Sequence, residues 1–132
     1  MTTYLEDLEV IKKAYVEAIH FTEDWHVEHE GGIRPETVLS HEASMQIEDL
    51  CADAYFFAMS EFGLFVNEEF RIVDLSQFGH DLWLTQNGHG SGFWDGDWDD
   101  EFGNVMTSYA HSVGELYPYD ENGIMYLEGK SV

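Results

Sequence analysis

Charge of one sign dominates this sequence and limits what the chain can fold into. Its 132 residues include 27 aspartates and glutamates but only five lysines and arginines, which leaves a formal net charge of -22 at pH 7. Most carboxylates therefore lack an ion-pair partner within the chain, and an unpaired charge is costly to bury. A folded form must place apolar residues inside and spread the acidic side chains over its surface.

The chain has enough apolar residues for such a core. Hydrophobic residues make up 44% and aromatic residues 15% of the sequence, whereas disordered acidic segments are poor in aromatics. The length is typical of one domain, so residues 1–132 are predicted to form a single domain with a mainly helical half, 1–78, and a second half, 79–132. The single cysteine, Cys51, lies in an apolar stretch and is predicted to be a buried core thiol.

Apolar residues at helical spacing predict two long helices in the first half. Thr3 and Glu6 have the spacing of a capping box at the start of a helix over residues 3–23. A loop is expected over residues 25–32, after which Pro35 can occupy the first turn of a second helix. This second helix has the strongest pattern, and its predicted buried face consists of Ile47, Leu50, Cys51, Ala54, Phe57, Ala58 and Phe62.

The second half is predicted to have the order β-β-α-β-β. Residues 82–85 and 93–94 are typical of two strands, joined by a turn at residues 87–90. A third helix is predicted over residues 99–116, and a hairpin around residues 120–123 closes the chain. Together these elements predict an α+β fold, in which two or three N-terminal helices pack on a small antiparallel sheet.

The most distinctive motif covers residues 79–95 and has the sequence GHDLWLTQNGHGSGFWD. It resembles a motif of small proteins from tailed bacteriophages, which usually have phenylalanine at the position of Leu82 and arginine at the position of Gln86. The resemblance includes the following helix and the tyrosine-rich hairpin. It implies a bacteriophage source, but the family brings no assigned activity. The loss of a positive charge at Gln86 fits selection for a more negative protein.

The charge argues against direct binding to nucleic acid. A globule of this size exposes roughly 7,000 Å², or about one net negative charge per 300 Å², whereas DNA carries on the order of one per 100 Å². Such a surface repels phosphate groups and attracts basic proteins. The chain also lacks the basic start of a secretion signal and an apolar run that could span a membrane, so a cytoplasmic protein without a membrane partner is expected.

These observations predict an inhibitor that mimics DNA and blocks the basic nucleic-acid-binding surface of a host restriction, CRISPR or repair protein. A homodimer would lengthen its acidic surface. One alternative is a phage accessory protein without mimicry. Another is a surface adapted to high salt, which should unfold in dilute buffer, and a third is a small metal-binding enzyme. The carboxylates expected to bind the partner are Glu6, Asp7, Glu9, Glu17, Glu42, Asp49, Asp53, Asp95, Asp97, Asp99, Asp100 and Glu101.

One acidic segment has part of a calcium-loop pattern. Asp95, Asp97 and Asp99 have the first spacings of such a loop, but Asp100 stands where the loop needs a glycine and Met106 where it needs a glutamate. The segment is therefore interpreted as helix-capping and partner-binding carboxylates rather than as a metal site.

Two histidines of the motif, His80 and His89, could supply zinc ligands together with Asp81. They lack a cysteine pair or a helical His-x-x-x-His spacing, so they are expected to hydrogen-bond the turn instead. The sequence also has no phosphate loop, dinucleotide fingerprint or nucleophile elbow. We expect no metal, no cofactor and no catalytic site.

The aromatic residues around the motif are Trp83, Phe93, Trp94 and Trp98. A platform for stacking single-stranded nucleic acid needs a basic groove, and this region has no lysine or arginine. These side chains are therefore predicted to be core, with Trp98 as the candidate for an exposed protein-binding anchor.

Overall fold

A computed structural model describes residues 4–29, 37–62, 75–88, 92–94, 98 and 100–129, with the side chains of residues 4, 23–29 and 62 excepted. Over these residues the protein is α+β, with four helices and a three-stranded mixed sheet, which confirms the predicted class. Its elements in chain order are α1 (Tyr4–His29), β1 (Val38–Leu39), α2 (His41–Phe62), α3 (Leu75–Gln86), α4 (Asp100–Val113), β2 (Leu116–Glu121) and β3 (Ile124–Gly129).

The contact between α1 and α3 forms the centre of the fold. Ile11, Tyr15 and Ala18 recur along one face of α1 at intervals of three or four residues, and all three are fully buried. Gly79 of α3 lies against this face so closely that a Cβ atom there would overlap the backbone carbonyl oxygen of Ile11. The first glycine of the 79–95 motif therefore sets how closely two helices pack.

The helix α2 buries most of the face that its sequence pattern predicts: Leu50 and Phe57 are half-buried, and the side chain of Phe62 lies outside the described residues. The side chains of this face are at most 1% exposed at four positions along three turns, and the predicted burial of the cysteine thiol is confirmed. Apolar residues that recur at these intervals lie on one side of a helix. The four positions are Ile47, Cys51, Ala54 and Ala58.

A serine fixes the start of α2. The Ala43 backbone N–H donates a hydrogen bond of 3.0 Å to Ser40 Oγ, as an N-cap does. The helix therefore begins at His41, and the residues before the cap form β1. The predicted helix start at Pro35 lies outside the described residues.

The two strands predicted over residues 82–85 and 93–94 are wrong. Residues 82–85 belong to α3, and Phe93 and Trp94 lie in a turn. Because α3 is buried on most sides, its sequence shows a short apolar run instead of a one-sided helical period, and such a run does not distinguish a strand from a helix. The second half therefore has the order α-α-β-β. The buried residues of α3 are Phe78, Gly79, Asp81, Leu82, Trp83, Thr85 and Gln86.

An aromatic cluster joins α3, the turn and α4. The ring centroids of Phe78 and Phe93 are 5.6 Å apart, and those of Phe93 and Phe102 are 6.2 Å apart. Trp98 stacks on Phe102 at 4.9 Å. Offset and edge-to-face pairs at these distances add to the stability that burial provides.

The predicted closing hairpin is confirmed. Strands β2 and β3 are antiparallel, and the turn residues Asn122 and Gly123 have φ angles of 56° and 82°, which a tight two-residue hairpin turn requires. However, β1 pairs in parallel with β3, so the sheet has the order β1-β3-β2 and is mixed rather than antiparallel. A two-residue strand carries no periodic signal that would reveal it in the sequence.

Two helix boundaries differ from the predicted ones. Helix α1 continues to His29, so the loop expected over residues 25–32 is helical in its first part. Helix α4 ends at Val113 because Gly114 has a φ angle of 92°, the left-handed conformation that ends many helices.

Candidate protein-binding surfaces

Carboxylates dominate the exposed charge of the described residues. Thirteen are exposed, whereas Lys13 is the one exposed lysine or arginine over the same residues. A partner that approaches these surfaces therefore meets mainly negative charge. The exposed acids are Glu6, Glu9, Glu17, Glu42, Glu48, Asp49, Asp53, Glu61, Asp100, Glu101, Glu115, Glu121 and Glu128.

The carboxylates predicted to bind a partner are exposed on α1, on α2 and in the first turn of α4, with the exception of Asp7. Asp95, Asp97 and Asp99 lie outside the described residues, so a continuous cluster over residues 95–101 stays a prediction. The exposed members of the predicted set are Glu6, Glu9, Glu17, Glu42, Asp49, Asp53, Asp100 and Glu101.

Lys12 connects the acidic surfaces of α1 and α2. Its Nζ atom lies 3.3 Å from Glu9 Oε1 on the same helix and 3.4 Å from Glu48 Oε1 on α2. Partial burial acts to lower the pKa of Lys12, but the hydrogen bonds and charges of the two glutamates outweigh it and raise this pKa. Lys12 therefore stays charged and forms ion pairs with two carboxylates of the same chain.

The expectation that Asp7 faces water is wrong. Asp7 is only 9% exposed, and its Oδ2 atom accepts a hydrogen bond of 2.6 Å from the Tyr55 hydroxyl of α2. The other oxygen, Oδ1, is buried and has no hydrogen-bond partner among the described residues. The sequence did not reveal this contact because it joins residues that are far apart in the chain. Asp7 therefore connects two helices and is not part of the exposed surface.

Replacing Tyr55 by phenylalanine should test this buried contact. The variant keeps the ring but removes the donor to Asp7, and a buried acceptor that loses its donor costs about 1–3 kcal/mol. Urea denaturation should show a lower free energy of unfolding by that amount. Tyr117→Phe is the matched control, because Tyr117 is 55% exposed and its change should stay within about 0.5 kcal/mol. Equal effects of the two changes would contradict the contact.

Three carboxylates form a line along α2. Glu42, Asp49 and Asp53 are separated by seven and four residues, which returns them to one side of the helix about 10 Å and 6 Å apart. The exposed Met45 and Phe56 flank this line. Methionine and aromatic residues are enriched at protein interfaces.

The outer face of the sheet is a second surface, which the sequence reasoning missed. Cross-strand pairs place Tyr117 opposite Glu128, Tyr119 opposite Tyr126 and Glu121 opposite Ile124. The hairpin turn and the alternation of residues in a strand could have revealed this grouping, because residues two apart lie on one face of a sheet.

A shallow groove of about 510 Å³ separates α2 from α4. Phe57 and Tyr109 stack in it with their ring centroids 4.4 Å apart. Burial, followed by the nearby charge of Asp53, raises the pKa of Tyr109 and keeps its hydroxyl protonated. Asn104, Ser108 and Ser112 add uncharged polar groups.

The described residues of the 79–95 motif supply several buried hydrogen bonds. Gln86 accepts a bond of 2.6 Å from the Tyr15 hydroxyl and donates one of 3.0 Å to the Gly114 carbonyl. Thr85 Oγ1 accepts a bond from the Phe93 N–H, and Asn87 Oδ1 accepts one from the Leu116 N–H. Because Gln86 is 2% exposed, its side chain contributes to internal packing, whereas the acidic surface lies elsewhere.

The two histidines of the motif and the nearby tryptophans differ in how far the structure describes them and in how exposed they are. His80 lies half-buried on α3, whereas His89 is outside the described residues. Trp98 is half-buried, and its Nε1 atom donates a hydrogen bond of 2.6 Å to Asp81 Oδ2. Of the four aromatic residues around the motif, Trp94 is the exposed one, so its predicted place in the core and the expectation of Trp98 as an exposed anchor are both wrong.

Within the described ranges, no three histidine, cysteine, aspartate or glutamate side chains are grouped so that they could hold a metal ion. None of the helices in that part of the chain is long and apolar enough to cross a membrane. Comparison with models of protein families, with curated proteins and with solved structures found no match.

Proposed function

We propose that this chain is an acidic inhibitor that mimics DNA and occupies the basic nucleic-acid-binding surface of a host defence or repair protein. The observation that carries the proposal is the exposure of carboxylates on α1 and α2 with almost no compensating positive charge. The carboxylates on these helices stand in for the phosphates of DNA. The resemblance to tailed-phage proteins supplies the context of host defence.

The density of charge supports an extended rather than a local contact. The surface of 7921 Å² and the net charge of -22 give about one net negative charge per 360 Å², against on the order of one per 100 Å² for DNA. The carboxylate line of α2 averages about 8 Å per charge, whereas a DNA strand has a phosphate every 3.4 Å of its axis. The carboxylates of one helix are therefore spaced too widely to match the phosphates of a DNA strand. The proposed mimicry needs the carboxylates of α1 and α2 together.

A neutralised variant tests the proposal. Six carboxylates of the two helices are replaced by amides: Glu6→Gln, Glu9→Gln, Glu17→Gln, Glu42→Gln, Asp49→Asn and Asp53→Asn. The wild type and the variant are immobilised, bacterial lysate is applied at low salt, and bound proteins are eluted with duplex DNA. We expect the wild type to release DNA-binding proteins, with an affinity that falls steeply with salt, and the variant to bind them about 100-fold more weakly.

Two outcomes would contradict the proposal. One is equal binding by the neutralised variant, and the other is a captured protein that duplex DNA does not displace. Position is controlled by comparing Asp49→Asn/Asp53→Asn with Glu61→Gln/Glu115→Gln, because both pairs change the net charge equally. Only the first pair should weaken binding, since Glu61 lies roughly a quarter-turn around α2 from the line of Glu42, Asp49 and Asp53, and Glu115 follows the end of α4.

A further inference from the structure

We infer that the outer face of the three-stranded sheet is an arginine-binding site, where guanidinium groups of a basic partner stack on Tyr119 and Tyr126 and pair with Glu121 and Glu128. The inference rests on the proposed function, since it assumes a basic partner. It places a specific contact on the sheet, away from the carboxylates of α1 and α2.

The two faces of the hairpin differ in burial. On the inner face, Pro118, Met125 and Leu127 are buried. On the outer face, Tyr119 and Tyr126 are half-buried and stack with their ring centroids 5.5 Å apart and their planes 18° apart. The two aromatic rings therefore stack on each other on the outer face of the sheet, and both stay partly exposed.

Apolar side chains extend this surface toward β1. Val38 is the register partner of Ile124, and the two are 66% and 40% exposed. Tyr117, which is 55% exposed, lies on the same face near the start of β2. Large exposed side chains that are contiguous across a sheet are typical of protein-binding sites.

Carboxylates surround the ring pair. Partial burial, followed by the negative charges of Glu128, Glu121 and Glu42, raises the pKa of Tyr119 and keeps its hydroxyl neutral. Lys12 and Lys13, the basic residues whose positions the structure gives, both lie on α1. The carboxylates of this face therefore have no lysine or arginine partner among the described residues.

This combination favours an arginine side chain over other ligands. A guanidinium group is planar, stacks on an aromatic ring and can bond a carboxylate with two parallel N–H groups, whereas an ammonium group is compact and strongly hydrated. Nucleic-acid bases also stack on tyrosines, but their phosphates would be repelled here. A second copy of this chain would bring carboxylates against carboxylates.

The edge of the sheet is less suited to a partner than its face. Leu116 donates its backbone N–H to Asn87 Oδ1 over 2.8 Å, and Pro118 has no N–H to donate. A strand added to β2 would therefore find few free donors. The partner is expected to lie across the face and bind through side chains.

Peptides of six arginines and six lysines are the probes, because they carry equal charge and differ in their side-chain head groups. Affinities are measured by calorimetry at physiological salt for the wild type and for Tyr119→Leu/Tyr126→Leu. We expect the wild type to bind the arginine peptide about 5-fold more tightly than the lysine peptide. The double variant should lose this preference while its affinity for the lysine peptide stays the same.

Two further variants separate a binding effect from misfolding. Phe56→Leu truncates an exposed aromatic residue on α2 and should keep the preference for arginine. Glu121→Gln/Glu128→Gln keeps both rings and should reduce the preference at least 2-fold. Equal binding of the two peptides by the wild type, or an arginine preference that survives in Tyr119→Leu/Tyr126→Leu, would overturn the inference. Failure of DNA to displace a captured partner would contradict the mimicry and leave this peptide result unchanged.

Discussion

Gly79→Ala is expected to lower the free energy of unfolding by about 3 kcal/mol. Alanine usually stabilises a helix interior by about 0.5–1 kcal/mol relative to glycine. Here its Cβ would overlap the Ile11 carbonyl oxygen and approach Ala14 Cβ. Because a backbone carbonyl cannot rotate away, α1 and α3 would have to separate, and overpacking of this kind costs 1–3 kcal/mol or more.

Urea denaturation measures this loss, and Gly129→Ala is its control. A Cβ atom at Gly129 would have no atom of the described residues within 4 Å, so its change should stay within about 0.5 kcal/mol. A loss of about 3 kcal/mol would be a large share of the 5–15 kcal/mol that holds a typical domain together. If Gly79→Ala were as stable as the wild type, the close contact between the helices would be wrong.

The stability of the wild type is expected to fall steeply above pH 9, and Cys51 should account for much of the fall. Burial raises the pKa of the Cys51 thiol from 9.0 to about 12, although the charge of Lys12 partly opposes this. The unfolded chain therefore loses the thiol proton above pH 9, while the folded protein keeps it until about pH 12. Stability is fully present below pH 9 and is lost as the pH rises.

Cys51→Ala should separate this effect from the general repulsion between negative charges. Each pKa unit is worth 1.36 kcal/mol, so between pH 8 and pH 11 the thiol should account for about 3 kcal/mol of lost stability. Comparing that loss in the wild type and the variant cancels the constant cost of removing the side chain. Part of the slope should remain in the variant, because burial also raises the pKa of Tyr15. Parallel stability curves for the two proteins would contradict the buried thiol.

The sequence predicted best those features that depend on neighbouring residues within one helix or one hairpin. The pattern around Cys51 correctly predicted the buried face of α2, because this helix is apolar on one side and acidic on the other. The hairpin turn at Asn122 and Gly123 was equally clear, since few residue pairs adopt left-handed conformations at both positions. In the α2 helix and in the hairpin turn, the structure favoured by the local sequence is the same as the one that packs in the folded protein.

The helix α3 shows where local patterns fail. Its residues are buried by α1 on one side and by the aromatic cluster around Phe93 on another. A narrow line through Ser76, His80 and Leu84 stays partly exposed, and Leu84 interrupts its polar character. The prediction that Asp7 is exposed failed for a related reason. A carboxylate next to Glu6 in a solvated first turn looks exposed until Tyr55, 48 positions away, is known to donate to it.

The sequence by itself determined that the protein has an acidic surface, an apolar core and an α+β class, because net charge and periodicity are properties of the chain before it folds. Only the tertiary structure decided which carboxylates face water, how closely α1 and α3 approach, and that Tyr119 and Tyr126 stack on one partly exposed face. These properties depend on contacts between residues distant in the chain, and such contacts exist only after the helices and strands have packed.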